Sequence, residues 1–151
     1  MKSQSNAAAI DQSRILVAED NPTNALMIEA VLQHFGCEFE IVGAGDKAVE
    51  RVKQGDIDIV LLDFHMPGLN GAQAATAIRE WEHQERGRRI YIVGLTATAL
   101  PSEMTYCLSA GMDQVVSKPF DIEYLRRVLQ RGSQISRQAE LSPDSTSGPG
   151  R

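Results

Sequence analysis

Charged and hydroxyl side chains follow the apolar runs of this sequence. Glu19 and Asp20 come directly after "RILVA", Asp63 after "IDIVLL", Thr96 after "IYIVGL" and Lys118 after "QVVS". Three carboxylates meeting at one site would repel one another and raise one another's pKa unless a cation lay among them. A hard divalent cation with oxygen ligands resolves this repulsion, and Mg²⁺ fits it best.

The same residues suit one reaction. A carboxylate such as Asp63 can act as a nucleophile toward phosphorus and form an acyl phosphate. Lys118 can supply a positive charge to one phosphoryl oxygen, and Thr96 can donate a hydrogen bond to another. These residue types therefore predict phosphoryl transfer onto Asp63.

Alternating strands and helices would position these side chains. We predict strands over 14–18, 38–42, 57–62, 90–95 and 114–117, and helices over 22–35, 46–53, 71–81, 101–110 and 120–129. Such alternation predicts right-handed βαβ units and an α/β fold, a doubly wound five-stranded parallel sheet with five helices on both faces. Ligands of such sheets bind at the carboxyl ends of the strands, where the reactive residues fall.

Helical spacing also predicts which side chains are buried. It places Met27, Trp81 and Met104 in the core and turns Ile122 inward. The polar stretch "WEHQERGRR", residues 81–89, reads as a loop.

Length and composition favour one domain. The chain has 151 residues, of which 42% are hydrophobic, enough for a single core. The ends are poor in large apolar side chains, so we predict a flexible segment over 1–12, a folded domain over 13–131 and a disordered tail over 132–151.

Several classes of function are disfavoured. The net charge of −5, without a long basic run, argues against direct contact with nucleic acid. No apolar stretch approaches the length of a membrane span and no signal peptide is apparent, so a cytoplasmic location is expected. Cys37 and Cys107 lack a metal-type spacing and are expected to be buried hydrophobes.

Four segments resemble the signature blocks of response-regulator receiver domains, in the same order and at similar spacings. They are "ILVAEDNPTN", "VLLDFHMPGLNG", "IVGLTATA" and "AGMDQVVSKPF". The resemblance covers roughly residues 14–131 and implies a flavodoxin-like sheet with strand order 2-1-3-4-5. The segment "AEDNPTN" is more similar to the receivers of hybrid histidine kinases than to those of transcription factors. A single-domain response regulator remains an alternative.

The resemblance implies a role for each residue of the acidic site. Asp63 would be the phosphoacceptor, and Glu19, Asp20 and Asp63 would form the acidic pocket for Mg²⁺. His65 would lend its backbone carbonyl to the metal, and its side chain would lie at the mouth of the site.

The resemblance also implies the switching residues. Thr96 would be the switch hydroxyl, and Lys118, aimed by a cis bond to Pro119, would contact the phosphoryl group. The family often has an aromatic residue three positions before this lysine, where this chain has Val115. The usual coupling of the hydroxyl to an aromatic side chain is therefore not expected here.

The function implied is that of a phosphoacceptor receiver in a two-component phosphorelay. It would take a phosphoryl group from a histidine kinase or a histidine phosphotransfer protein, as a monomer or weak dimer, and switch the surface of the fourth helix, fifth strand and fifth helix. It would be no enzyme beyond Mg²⁺-dependent self-phosphorylation and autodephosphorylation. The alternatives are a pseudo-receiver that only docks partners and an Asp-nucleophile phosphohydrolase, which would carry a second Asp where this chain has His65.

Overall fold

The computed structural model describes residues 13–85, 89–98 and 100–141, with side chains as far as residue 136. Within these residues strands and helices alternate throughout. The strands are β1 (Arg14–Ala18), β2 (Glu38–Val42), β3 (Ile59–Asp63), β4 (Tyr91–Thr96) and β5 (Gln114–Ser117). The helices are α1 (Pro22–Phe35), α2 (Gly45–Lys53), α3 (Gly71–Glu85), α4 (Pro101–Ser109) and α5 (Ile122–Leu141).

The strands form one parallel sheet in the order β2-β1-β3-β4-β5. This confirms the predicted α/β fold and strand order. The central strand β3 pairs with β1 through Val17 and Leu61 and with β4 through Leu61 and Val93. Because β3 and β4 are buried along their whole length, they show the continuous apolar pattern of parallel strands covered on both faces.

Two apolar clusters cover the two faces of the sheet. Successive residues of a strand point to opposite faces, so Val17 joins the cluster beneath α1 and α5 while Leu16 joins the cluster beneath α2, α3 and α4. Cys37 and Cys107 are buried, one in each cluster, and neither forms a disulfide. The carboxyl ends of the strands are thereby held at one rigid edge.

Helix α1 shows how the sequence defines its ends. The side chain of Asn21 accepts a hydrogen bond from the backbone N–H of Asn24 at 3.0 Å, and Pro22 follows in the first turn. Gly36 ends the helix with a φ of 78°, a left-handed conformation that glycine adopts without steric cost. Both ends match the prediction.

The core-facing side of α1 differs from the prediction. Ile28, Val31, Leu32 and Phe35 are the buried residues, whereas Met27 is 49% exposed. The predicted burial of Met27 is therefore wrong, because the buried stripe is displaced by one residue around the helix. Trp81 and Met104 are partly buried against the core, whereas Ile122 is 46% exposed and does not turn inward.

Helix α3 extends to Glu85, so the loop predicted from residue 81 begins too early. Its polar last turn is held by Glu82, whose carboxylate accepts hydrogen bonds from Arg79 at 2.9 Å and from the backbone N–H of Ile90 at 2.6 Å. The polar residues 82–85 thus belong to the helix, and Glu82 connects its last turn to the residue before β4.

Helix α5 continues to Leu141, beyond the domain end predicted at residue 131. The domain end predicted at residue 131 thus falls within this helix, where small residues pack although large apolar ones are absent. Gly132 lies so close to Tyr91 that a Cβ would sit 2.6 Å from its ring, and the hydroxyls of Ser133 and Ser13 are 2.6 Å apart in the interior. The predicted flexible segment 1–12 lies outside the described residues, as do residues 142–151 of the tail predicted over 132–151.

Candidate functional site

Three carboxylates meet at the carboxyl edge of the sheet. Glu19 and Asp20 follow β1, and Asp63 ends the neighbouring strand β3. One carboxylate oxygen from each residue lies within 4.8 Å of the others. Glu19 and Asp63 are buried, with 3% and 5% of their surfaces exposed, whereas Asp20 faces solvent. The side chains that we predicted as acidic ligands are thus brought together.

The electrostatics of this cluster favour a bound cation. Burial raises the pKa of Glu19, and the nearby charge of Asp63 raises it further. A hydrogen bond from the backbone N–H of Asn21, at 3.2 Å, and the charge of Lys118 act in the opposite direction. Since oxygen donors at this spacing suit a hard divalent ion, the donor set fits Mg²⁺.

Lys118 reaches the same cluster from the edge strand. Its Nζ lies 3.0 Å from Oδ1 of Asp63 and 3.3 Å from Oε1 of Glu19. Its backbone N–H donates to the carbonyl of Thr96 at 2.7 Å, and the bond to Pro119 is cis, as predicted. The side chain is 17% exposed, so the ammonium lies in the mouth of the site between two buried carboxylates.

Thr96 ends β4, the neighbour of β3 in the sheet, and is fully buried. Its hydroxyl contacts the Oε2 of Glu103 and the carbonyl of Thr98, the latter at 3.0 Å, and accepts from the N–H of Thr98 at 3.1 Å. In the described part of the chain no hydrogen bond joins this hydroxyl to Asp63. Thr96 is therefore near the site but turned toward α4.

The sequence did not single out Glu103. It lies in the first turn of α4, seven positions along the chain from Thr96, where an acidic residue is common because it favours the positive end of a helix. Only the packing of α4 beside β4 shows that its carboxylate meets the Thr96 hydroxyl.

The residues after Asp63 form a tight, aromatic turn. Phe64 contacts the ring of His65 edge-on, with centroids 4.8 Å apart, and the ring of Tyr106 at 6.0 Å. Gly71 lies so close to the backbone that a Cβ would sit 2.7 Å from the carbonyl oxygen of Asp63. His65 is exposed, and its proposed carbonyl contact with a metal stays a prediction.

Val115 occupies the position where the family often has an aromatic residue. Its side chain is buried in the cluster beneath α2, α3 and α4, paired in register with Gly94 of β4. Val115 packs in the core beside α4. It has no aromatic ring whose rotamer could change when the Thr96 hydroxyl moves.

This arrangement can perform a defined chemistry. A buried carboxylate at the end of a rigid strand is held ready as a nucleophile, and a lysine ammonium beside it can bind an anionic group. The acidic oxygens around it can hold a divalent cation.

Across the described ranges, no helix has the length and apolar character needed to cross a membrane.

A family model described as "Response regulator receiver domain" matches residues 15–130. The sensor protein GacS of Pseudomonas syringae pv. syringae is 40% identical over 116 residues, which are 77% of this chain and 13% of that protein. The histidine-protein kinase BarA of Escherichia coli strain K12 is 34% identical over 125 residues, 81% of this chain and 13% of that protein. The chain thus spans a small part of these kinases.

A solved structure gives a comparison of similar extent. The receiver domain of the sensor histidine kinase PA1611 from Pseudomonas aeruginosa PAO1 superimposes with a TM-score of 0.73 and is 39% identical, covering 81% of this chain and 98% of that one. That structure has a magnesium ion coordinated in its active site cleft.

Proposed function

The chain belongs to the response regulator receiver domain family, and from this premise we propose that Asp63 accepts a phosphoryl group from a phosphohistidine donor in a phosphorelay. The observation that carries the proposal is the contact of Lys118 Nζ with Oδ1 of Asp63 at 3.0 Å, inside the cluster formed with Glu19 and Asp20. Asp63 thus has the ammonium of Lys118 beside it, together with the carboxylates of Glu19 and Asp20, which could hold a metal ion with it.

The step itself is a substitution at phosphorus. A carboxylate oxygen of Asp63 forms a bond to phosphorus while the P–N bond of the donor phosphohistidine breaks, and the imidazole nitrogen leaves with the electron pair. The product is an acyl phosphate on Asp63. Lys118 binds one phosphoryl oxygen, and Thr96 donates to another after its hydroxyl has turned away from Glu103.

We propose Mg²⁺ as the cofactor of this step. Glu19, Asp20 and Asp63 would hold it, with the backbone carbonyl of His65 as a further ligand. When bound, it supplies positive charge that offsets the charge of the phosphoryl oxygens. The donor spacing within 4.8 Å and the Mg²⁺ in the PA1611 receiver support this assignment.

We propose that an apolar groove beside Lys118 receives the donor. The groove has a volume of about 290 Å³, and Met27 of α1, which lines it, is 49% exposed. Leu26, the preceding residue of α1, is 67% exposed. Exposed apolar groups beside a reactive site favour a protein partner. The residues that line the groove are Asn24, Met27, Ile28, Ala97, Lys118, Pro119 and Phe120.

The kinase relatives support a histidine kinase or a histidine phosphotransfer protein as this donor. We further propose a cytoplasmic location, a monomeric or weakly dimeric state and no direct contact with nucleic acid. Phosphorylation would switch the surface formed by α4, β5 and α5. Whether the receiver acts alone or within a hybrid kinase does not change the chemistry at Asp63.

Two other functions fit the site less well. A phosphohydrolase with an Asp nucleophile would place a second acid two residues after Asp63, where the chain has the exposed His65. A docking module without phosphorylation does not require Glu19, Asp20 and Lys118 to converge on one carboxylate. We therefore propose no catalytic activity beyond self-phosphorylation and autodephosphorylation.

Transfer from a phosphohistidine donor tests the function directly. A histidine phosphotransfer protein carrying labelled phosphoryl groups is mixed with the chain in Mg²⁺, and the label on each protein is followed by gel electrophoresis. We expect the label to move to the wild-type chain and not to Asp63→Ala. Label that stays on several such donors, with the fold intact by circular dichroism, would favour the docking module.

A further inference from the structure

The hydroxyl of Thr96 is held by α4. As a hydroxyl it has one proton to donate, and its acceptors are the carboxylate of Glu103 and the carbonyl of Thr98. A hydrogen bond to a carboxylate is about twice as strong as one to a neutral acceptor. In this state the proton that a phosphoryl oxygen needs is therefore directed toward Glu103.

We propose that Glu103 is a positioning residue that keeps the Thr96 hydroxyl turned away from Asp63 until the phosphoryl group arrives. The inference rests on the proposed phosphorylation of Asp63. Two acceptors then compete for one proton: the Glu103 carboxylate in the unphosphorylated protein and a phosphoryl oxygen in the phosphorylated one. The strength of the Glu103 contact sets how far phosphorylation favours the switched state.

The same helix has a second contact with the site. Tyr106, one turn after Glu103, contacts the ring of Phe64 edge-on at an interplanar angle of 85°. Phe64 directly follows Asp63 in the chain. Because Val115 supplies no ring to follow Thr96, the movement of the Thr96 hydroxyl acts on α4 through Glu103. Of these two contacts of α4, only that between Tyr106 and Phe64 remains when Glu103 no longer contacts Thr96.

The surface of α4 is able to report such a change. Leu100, directly before the helix, and Leu108, in its last turn, are exposed at 54% and 50%. A shift of α4 would move both side chains, because they are attached to the same short helix. The contact between Thr96 and Glu103 thus connects the buried site to an exposed apolar surface.

A set of variants tests the role of Glu103. Glu103→Gln keeps the shape of the side chain but removes its charge, so the Thr96 hydroxyl leaves it more easily. We expect the affinity of the Mg²⁺-loaded protein for beryllofluoride, a mimic of the phosphoryl group, to rise about fivefold. Glu123→Gln is the matched control, since Glu123 is also in the first turn of a helix and is exposed; its affinity should equal that of the wild type.

The Thr96→Ala background separates positioning from a structural effect. There Glu103 has no hydroxyl to hold, so Glu103→Gln should change the beryllofluoride affinity by less than about a factor of two within the double-mutant cycle. The proposal is overturned if Glu103→Gln leaves the wild-type affinity unchanged, or if its effect persists in Thr96→Ala.

The contact can also be tested without any phosphoryl group. The ¹³C resonance of the Glu103 side-chain carboxyl should shift in Thr96→Val, because the hydroxyl donor is lost, while the resonance of Glu123 should not. An unchanged Glu103 resonance overturns the positioning role. If that resonance shifts but the wild type binds no beryllofluoride and takes no phosphoryl group, the proposed function fails while the contact stands.

Discussion

The ammonium of Lys118 lies 3.0 Å from Oδ1 of Asp63, although the two residues are 55 positions apart in the chain. Asp63 ends β3 and Lys118 follows β5, and these two strands are not neighbours in the sheet. The strand between them, β4, ends at Thr96, whose carbonyl accepts a hydrogen bond from the Lys118 backbone at 2.7 Å. The side chain therefore crosses the end of β4 to reach Asp63.

Removing the ammonium of Lys118 should slow the phosphorylation of Asp63 without abolishing the fold. We expect Lys118→Ala to lower the rate of phosphoryl gain from acetyl phosphate at least about tenfold, since a charge-assisted hydrogen bond to the phosphoryl group is lost. Lys118→Arg should recover only part of the rate, because the planar guanidinium does not replace a compact ammonium. Rates are measured by intact mass spectrometry, and a wild-type rate in Lys118→Ala would contradict the assigned role.

The pKa of Glu19 gives a second measure of the same contact. Lys118 lowers this pKa, against the larger effect of burial, so Lys118→Ala should raise it further. In the metal-free protein the ¹³C resonance of the Glu19 carboxyl would then titrate at higher pH in the variant than in the wild type. An unchanged titration would mean that the ammonium does not act on Glu19.

The apolar groove should matter for the protein donor and not for a small one. We expect Met27→Glu to slow transfer from a phosphorylated histidine phosphotransfer protein at least about tenfold, because a charge would be placed in an apolar contact. Leu108→Glu is the matched control, since Leu108 has nearly the same exposure, 50% against 49%, but lies on α4. Both variants should react with acetyl phosphate at the wild-type rate; equal slowing of donor transfer by both would argue against docking at α1.

The close approach of α3 to the backbone of Asp63 and Phe64 requires a glycine. A Cβ at position 71 would meet backbone atoms of Asp63 and Phe64 at 2.7 and 3.0 Å, and backbone cannot move aside as a flexible side chain can. We expect Gly71→Ala to lower the free energy of unfolding by about 1–3 kcal/mol, measured by urea titration.

Gly43→Ala provides the control for this prediction. A Cβ at position 43 would meet no heavy atom within 4 Å beyond its chain neighbours, and Gly43 has no positive φ. The substitution should change the free energy of unfolding by less than about 0.5 kcal/mol. Equal effects of the two substitutions would mean that the approach of Gly71 to Asp63 is not a packing constraint.

The end of α5 should contribute to stability beyond residue 131. Ser133→Ala removes a buried hydroxyl that lies 2.6 Å from the hydroxyl of Ser13, so we expect the free energy of unfolding to fall by about 1 kcal/mol. The neighbouring Gln134 is exposed, and Gln134→Ala should have no measurable effect in the same urea titration. An unchanged stability in Ser133→Ala would support the earlier domain end at residue 131.

Much of the site could be predicted because it depends on strand ends. The apolar runs before Asp20, Asp63, Thr96 and Lys118 fix the strands, and parallel strands bring their carboxyl ends to one edge. The order of the strands follows from the resemblance to a family. These two sources together place each predicted side chain close to Asp63.

What could not be predicted depends on packing between elements. Glu103 meets Thr96 only because α4 lies against the end of β4, and no sequence spacing shows this. Gly132 and Ser133 read as tail residues because their burial comes from small size and not from hydrophobicity. The prediction for Met27 is wrong because a shift of one residue around α1 turns an apolar side chain from the core to the surface.

The central claim is that Asp63 is phosphorylated with the help of Mg²⁺. The most direct measurement is the intact mass of the chain after incubation with acetyl phosphate, with and without Mg²⁺, beside Asp63→Ala and the control Asp46→Ala, which removes an exposed carboxylate of α2. The account predicts a Mg²⁺-dependent gain of one phosphoryl group in the wild type and in Asp46→Ala, and none in Asp63→Ala. A gain that persists in Asp63→Ala would contradict it.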